Sequence, residues 1–257
     1  MHPRRAVVRG LALLGLGAAL GCNPLDLLGP GFSGNPRMDA AWNTVRTGAF
    51  ATGHVILSED SAGTTGRVYV PEHFDPAEPI GLLVMLHGGG SAGQNYIGTF
   101  QALANAHDFI ILAPDSKQLT WDMISTTRVG VDVERLGTAV EYVLQRATID
   151  PARIWLAGHS DGASYAITIG TANGDRFRKL MLFAAGIYWS PQKNGRPDVR
   201  VVHGQFDPVF PFAEVQREVV RPLERAGYAV TFAPHSGGHE IGSEAAEAAI
   251  LWAKGGS

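Results

Sequence analysis

The segment RIWLAGHSDGASYA, residues 153–166, places a serine between two glycines at the boundary of two structural patterns. The apolar run at 153–158 predicts a β-strand buried on both faces, and the small and apolar residues after Asp161 predict a helix. Ser160 would then occupy a tight strand-to-helix turn that exposes its hydroxyl group, with Gly158 and Gly162 leaving room for the turn. The chain contains 32 glycines in 257 residues, so a Gly-x-Ser-x-Gly match can arise by chance. The surrounding sequence has to decide whether Ser160 is a nucleophile.

The rest of the chain alternates between short apolar runs and amphipathic helical patterns. This alternation predicts βαβ units and an α/β fold, with a mostly parallel sheet and helices on both faces. GHVILS and GRVYVP, separated by a turn-rich segment, predict a hairpin. We expect Asp132 to cap the helix DVERLGTAVEYVLQRA, Ser243 to cap SEAAEAAILWAK, and Pro222 to interrupt FAEVQREVVRPLERAG. The other predicted strands are IGLLVMLHGGG, DFIILAPD, KLMLFAAG, DVRVVHG and YAVTFAP, and a further helix is predicted at NYIGTFQALANAH.

Two further side chains follow predicted strands in the positions that a serine nucleophile requires. A serine hydroxyl is a poor nucleophile at neutral pH, so a base must take its proton and an acid must orient the base. His239, after the last predicted strand, is the candidate base; the alternative is a solvated loop histidine. Asp207, after the preceding strand, is the candidate acid; the alternative is an ordinary Asp-Pro turn. Asp115 and Glu240 are rival acids.

The glycine-rich segment LHGGGSAG, residues 86–93, follows another predicted strand. Glycines at such a position let backbone N–H groups approach a developing oxyanion, together with the N–H of the residue after the nucleophile. That residue is Asp161. Gly89 is the first choice for the other donor and Gly88 the second, while a plain glycine-rich turn is the alternative. We expect His87 to brace this loop.

These motifs resemble those of compact α/β-hydrolase esterases related to polyhydroxybutyrate depolymerases, feruloyl esterases and the phospholipase/carboxylesterase group. The matching segments are RVYVP, LLVMLHGGG, ILAPDS, IDPARIWLAGHSDGA, VVHGQFDPVFP and GGHE, within residues 52–252. The resemblance implies the α/β-hydrolase fold and a Ser160, Asp207 and His239 triad that works through an acyl-enzyme, without a cofactor or metal. The chain departs from the depolymerases at Asp161, where they commonly carry a small residue. We therefore expect ester hydrolysis without specificity for the polymer.

Three aromatic residues in loops after strands, Trp121, Tyr188 and Trp189, could line a pocket for an acyl or aromatic group. Packing in the core or at the surface is the alternative for each. The longest segment available as a cover is residues 187–197, which is too short for a large lid domain. This predicts short-chain or aryl ester substrates. His159, next to the nucleophile, is expected to pack against neighbouring loops.

The N-terminus has the pattern of an export signal. Three arginines within residues 1–9 precede the short apolar run LALLGLGAALGC, which ends at Cys22. We predict a lipoprotein signal peptide at 1–21, lipidation of Cys22, and hence an exported protein anchored to a bacterial membrane. The segment 22–37 is rich in proline and glycine and predicts a flexible tether, followed by the catalytic domain at 38–257.

Composition narrows the functional classes further. The net charge is −3, and the sequence shows no run of lysine or arginine, so we expect no nucleic-acid partner. The expected partner is a small ester substrate. Because a triad does not fix the acyl acceptor, a peptidase or acyltransferase remains open. So does a surface lipoprotein that binds a ligand without catalysis.

Overall fold

The computed structural model describes residues 32–38, 42 and 45–255. The strands are β1 Ser33–Gly34, β2 Gly53–Leu57, β3 Gly66–Val70, β4 Ile80–Leu86, β5 Phe109–Pro114, β6 Arg128–Val129, β7 Ile149–His159, β8 Lys179–Phe183, β9 Asp198–Gly204 and β10 Val230–His235. Eight of them form one sheet in the order β10-β9-β8-β7-β4-β5-β3-β2. The hairpin β2–β3 is antiparallel and β3 joins β5 antiparallel, whereas all other neighbours in this sheet are parallel. A separate two-stranded parallel sheet pairs β1 with β6.

Helices cover both faces of the large sheet, because its central strands have apolar side chains on both sides. Every residue of β4 and of β5 is buried. The helices are α1 Glu59–Ala62, α2 Gln94–His107, α3 Asp122–Thr126, α4 Val131–Leu144, α5 Asp161–Ala172, α6 Phe212–Val215, α7 Arg221–Arg225 and α8 Ser243–Ala253. Helices α4, α5 and the α6–α7 segment pack on one face, and α2 and α8 pack on the other.

The predicted α/β fold and the hairpin are confirmed. The prediction for Pro222 is also confirmed, because the five residues Gln216–Val220 between α6 and α7 form a π-helical turn. Proline has no N–H group to donate to the preceding turn, and the widened turn accommodates the missing hydrogen bond. Pro234 lies in β10 at the edge of the sheet, where a strand tolerates proline.

Both predicted helix caps are wrong. Helix α4 begins one residue before Asp132, with Gly130 at the cap position, and α8 begins at Ser243 itself after Gly242. Asp132 is 2% exposed, and its carboxylate accepts hydrogen bonds from the backbone N–H groups of Lys117 and Asp122, both at 2.8 Å. The buried carboxylate ties loops together instead of capping its own helix.

The predicted tether is also wrong over the part that the structure describes. Phe32 packs against Trp189 with ring centroids 5.1 Å apart, β1 pairs with β6, and Met38 is 1% exposed. The folded part therefore reaches at least to Phe32. The signal peptide at 1–21 and the lipidation site Cys22 lie outside the described residues. Within the described ranges, no helix combines the length and apolar character needed to cross a membrane.

Candidate active site

Ser160 occupies a strained turn between β7 and α5. Its φ is 55° and its ψ is −118°, a combination that residues with side chains rarely adopt. The two flanking glycines explain how the turn fits. A Cβ on Gly158 would lie 2.2 Å from the carbonyl oxygen of Gly162, and a Cβ on Gly162 would lie 2.4 Å from the carbonyl oxygen of His87. Both positions therefore exclude a side chain, and the turn presents the serine at the carboxyl end of the sheet.

The structure brings Ser160, His239 and Asp207 together into one line of hydrogen bonds. His239 Nε2 lies 2.9 Å from Ser160 Oγ, and His239 Nδ1 lies 2.7 Å from Asp207 Oδ2. An ionised carboxylate can only accept, so Nδ1 carries the proton and Nε2 is free to accept from the serine hydroxyl. This is the tautomer that a general base for Ser160 needs.

The carboxylate of Asp207 is buried and held by backbone donors. Its Oδ1 accepts hydrogen bonds from the N–H groups of Val209 at 2.7 Å and Phe210 at 2.9 Å. Burial by itself acts to raise the pKa of Asp207, but these hydrogen bonds and the His239 ring outweigh it and lower the pKa below its ordinary value. Asp207 is therefore ionised at neutral pH, as required of a group that orients a histidine.

The two rival acids have other partners. Asp115 Oδ1 accepts a hydrogen bond from the Gly93 N–H at 2.8 Å, and Glu240 accepts from the Gly238 N–H at 2.8 and 3.0 Å. Among the described residues, neither carboxylate forms a hydrogen bond with His239. Only Asp207 does.

The glycine-rich segment at residues 86–93 forms the candidate oxyanion loop, and its two candidate glycines differ in whether their N–H groups are free. The Gly88 N–H donates to the hydroxyl oxygen of Tyr96 at 3.0 Å, and the Gly90 N–H donates to the carbonyl of Leu119 at 2.7 Å. Within the described part of the chain, the N–H of Gly89 has no acceptor, and neither has the N–H of Asp161 at the start of α5. Gly89 and Asp161 are therefore the pair available to bind an oxyanion.

His87 supports the oxyanion loop through hydrogen bonds of its ring. It is 1% exposed, its Nδ1–H donates to the Gly88 carbonyl at 2.8 Å, and its Nε2 accepts from the Ser116 N–H at 3.0 Å. Burial lowers the pKa of His87, which keeps the ring neutral and preserves both bonds. The carbonyl of His87 in turn accepts from Trp121 Nε1 at 2.8 Å.

The side chain of Asp161 lies against the oxyanion loop. A Cβ on Gly89 would lie 2.3 Å from Asp161 Oδ2, and the same oxygen accepts a hydrogen bond from Thr120 Oγ1 at 2.8 Å. Burial raises the pKa of this carboxyl group. Gly89 thus leaves room for the carboxylate of Asp161 on α5, which a side chain at position 89 would displace.

The three aromatic residues proposed for a pocket have different environments. Trp121 is 1% exposed and stacks on Tyr165 with centroids 5.1 Å apart, so of the alternatives left open the structure places it in the core. Tyr188 and Trp189 are half-buried in the connection between β8 and β9 and pack against the core. Trp189 is further covered by Phe32.

Sequence reasoning missed two polar groups near the site. His203 in β9 is fully buried, with Nε2 2.8 Å from the Phe210 carbonyl and 3.6 Å from Asp207 Oδ2. A histidine inside the apolar run VVHG was the available signal. Tyr96 in α2 hydrogen-bonds His159 Nδ1 at 2.9 Å, a long-range contact that no local pattern reveals. Among the described residues, no three His, Cys, Asp or Glu side chains are grouped so that they could hold a metal ion.

The fold agrees with a comparison to known families. The model of the alpha/beta hydrolase family matches residues 83–253, which include the oxyanion loop and all three hydrogen-bonded residues. The chain belongs to the alpha/beta hydrolase family. Over 120 residues, this hydrolase is 32% identical to an acetylxylan esterase of Coprinopsis cinerea, and the match covers 43% of the chain and 30% of that relative.

Solved structures with the same fold include two esterases and a hydrolase of low sequence identity. S-formylglutathione hydrolase from Staphylococcus aureus superposes with a TM-score of 0.63 at 18% identity, covering 81% of this hydrolase and 98% of that chain. Esterase PE8 gives a TM-score of 0.60 at 19% identity, with 74% and 97% covered. Acetyl xylan esterase from Aspergillus awamori gives 0.57 at 14% identity, with 74% and 94% covered. At these identities the likeness establishes the shared fold.

Proposed function

We propose that this protein is a serine esterase that hydrolyses carboxylic esters through an acyl-enzyme formed on Ser160. The observation that carries the proposal is the unbroken line from Ser160 Oγ to His239 Nε2 and from His239 Nδ1 to Asp207 Oδ2, at 2.9 and 2.7 Å. In this line Nδ1 donates to Asp207 and Nε2 is left to accept the proton of the Ser160 hydroxyl, which is the arrangement that nucleophilic catalysis requires.

The reaction follows from these positions. The Ser160 oxygen attacks the ester carbonyl carbon while His239 Nε2 takes the hydroxyl proton, and Asp207 stabilises the imidazolium that forms. The carbonyl oxygen becomes an oxyanion and binds the free N–H groups of Gly89 and Asp161. His239 then donates its proton to the departing alcohol. Water attacks the acyl-enzyme by the same route, releases the acid and restores Ser160.

We propose short acyl groups, acetyl among them, as the substrate class. Residues 184–197, which connect β8 to β9, contain no helix that could cover a long acyl chain. The relative of 32% identity is named an acetylxylan esterase, which is consistent with a small acyl group. Each methylene buried in a pocket is worth about 0.8 kcal/mol, so a shallow pocket stops rewarding longer chains after a few carbons.

The test combines a nucleophile variant with a substrate series. Ser160→Ala should lower kcat/KM for p-nitrophenyl acetate by several orders of magnitude while the melting temperature stays close to that of the wild type. Ser61→Ala, at an exposed serine of α1, is the matched control and should retain activity. If the activity of Ser160→Ala stays within tenfold of the wild type, Ser160 is not the nucleophile.

The same assay with p-nitrophenyl esters of increasing length tests the substrate class. We expect kcat/KM to be highest for acyl chains of about two to six carbons and to decline beyond them, since further methylenes remain in water. A steady rise to twelve carbons would contradict the proposal. Faster turnover of peptide substrates, or of added alcohols as acyl acceptors, would instead favour a peptidase or an acyltransferase with the same residues.

A further inference from the structure

A second hydrogen-bonded chain connects the oxyanion loop to the loop that carries the base. It starts at the Gly88 N–H, passes to the hydroxyl of Tyr96 at 3.0 Å, and continues to His159 Nδ1 at 2.9 Å. It ends where His159 Nε2 meets the backbone carbonyl of His239 at 2.8 Å. Neither Tyr96 nor His159 belongs to the residues that transfer protons in the proposed reaction.

The chemistry of the two ends fixes the direction of every bond in this chain. The Gly88 N–H can only donate, so Tyr96 accepts there, and the His239 carbonyl can only accept, so His159 Nε2 carries a proton. A neutral His159 then presents Nδ1 as an acceptor, and the Tyr96 hydroxyl donates to it. Burial lowers the pKa of His159 and raises that of Tyr96, so both groups remain neutral and the pattern is stable near pH 7.

The two loops that this chain joins follow strands that are not neighbours in the sheet. Gly88 follows β4 and His239 follows β10, and three strands lie between β4 and β10. β4 and β10 are therefore not hydrogen-bonded to each other, and no backbone ladder joins the two loops directly. His159 lies between them at the end of β7, where its ring is 5.1 Å from that of His239 and 5.7 Å from that of Tyr96.

We propose that His159 and Tyr96 are positioning residues that hold the oxyanion loop and the base loop at a fixed separation around Ser160. The Tyr96 hydroxyl accepts from the Gly88 N–H and thereby fixes the His87–Gly88 peptide, which adjoins the peptide whose Gly89 N–H is left for the oxyanion. His159 fixes the backbone of His239 and thereby the distance from Nε2 to Ser160 Oγ. This inference rests on the proposed esterase function.

The variants separate positioning from general stability. Tyr96→Phe removes only the hydroxyl, and His159→Leu removes both ring nitrogens. His159→Gln keeps an N–H donor where Nε2 lies. The control is Tyr69→Phe, because the buried Tyr69 hydroxyl donates to Asn105 of the same helix α2 at 2.9 Å, away from the triad. Melting temperature, kcat and KM for p-nitrophenyl acetate are measured for each variant.

We expect Tyr96→Phe to lower kcat about tenfold and His159→Leu to lower it about a hundredfold, with KM nearly unchanged, because the loss falls on the transition state. His159→Gln should recover most of the loss, and the double variant should be no slower than His159→Leu alone, since both residues act in one chain. Tyr69→Phe should lower the melting temperature comparably and leave kcat unchanged. If Tyr96→Phe and His159→Leu behave like Tyr69→Phe, the positioning role is overturned.

Labelling of the wild type by a fluorophosphonate probe distinguishes the two levels of failure. A labelled, active wild type whose variants keep kcat refutes the positioning role alone. A folded wild type that neither reacts with the probe nor turns over any ester refutes the proposed function, and the positioning role with it.

Discussion

The role proposed for Asp207 depends on its neighbours more than on its position in the sequence. Its two carboxylate oxygens have different partners: Oδ1 accepts hydrogen bonds from two backbone N–H groups, and Oδ2 accepts one from His239. The first set of bonds keeps the carboxylate ionised and fixed in orientation, so that the second oxygen can hold the imidazole. An asparagine in its place could preserve the shape but would favour the wrong tautomer of His239.

Asp207→Asn should therefore lower kcat by about 10³- to 10⁴-fold, with little change in KM. Asp115→Asn and Glu240→Gln are the matched controls, because each removes a carboxylate charge close to the site without touching His239. We expect both controls to stay within about fivefold of the wild type. A larger loss of kcat in either control than in Asp207→Asn would show that Asp207 is not the acid.

The sequence was sufficient to select the residues that meet at the site but not to choose between neighbouring glycines. Ser160, Asp207 and His239 each follow a parallel strand, and parallel strands end at the same edge, so their meeting could be predicted. The difference between Gly88 and Gly89 depends on the hydroxyl of Tyr96 from α2, a contact set by packing of the helix on the sheet. The burial of Trp121 was equally beyond a local pattern, because it depends on stacking with Tyr165.

At the scale of elements, periodicity predicted strands and helices well, whereas end signals predicted their first residues poorly. Asp132 and Ser243 are residue types that favour cap positions, yet each lies inside its helix. For Asp132 the reason is visible, since its carboxylate accepts hydrogen bonds from the backbone N–H groups of Lys117 and Asp122 instead. A tertiary requirement outweighed the local preference.

Helix α8 packs on the sheet through small residues, and this close approach makes a further prediction. Ala249 is fully buried between α8 and the sheet, whereas the adjacent Ala248 is exposed. Ala249→Leu should lower the free energy of unfolding by about 1–3 kcal/mol, because the interface has no room for the larger side chain. Ala248→Leu, the same change on the exposed side, should alter it by no more than about 0.5 kcal/mol. Equal effects in a denaturant titration would show that α8 is not closely packed.

At the scale of the whole molecule, buried histidines link stability to pH. Burial lowers the pKa of His87, His159 and His203, so the folded protein resists protonation of these rings. In the unfolded chain the same rings take up protons as the pH falls through about 6.5. The unfolded state then binds more protons than the folded state, and the free energy of unfolding decreases.

We therefore expect the melting temperature to fall by several degrees between pH 7.5 and pH 5.5. Burial raises the pKa of Asp132 and Asp161, which has the opposite effect on stability, because the folded protein then binds protons that the unfolded chain has released; two such carboxyl groups oppose three histidines. His203→Gln should reduce this fall in melting temperature, with the variant compared with its own melting temperature at pH 7.5. The control is His73→Gln, at an exposed histidine, and it should leave the dependence unchanged. A melting temperature that is constant or rises over this interval would contradict the account.

The residues proposed as nucleophile and base follow strands that differ in how many neighbouring strands they pair with. Ser160 follows β7, which has neighbours on both sides, whereas His239 follows β10, one of the two edge strands, which pairs with β9 alone among the described strands and has no buried residue. Border strands open locally before a sheet melts as a unit. On warming, turnover should therefore cease while most of the protein is still folded, and it should return on cooling. The upper temperature limit of activity is then set by local opening of β10 and not by unfolding of the central strands.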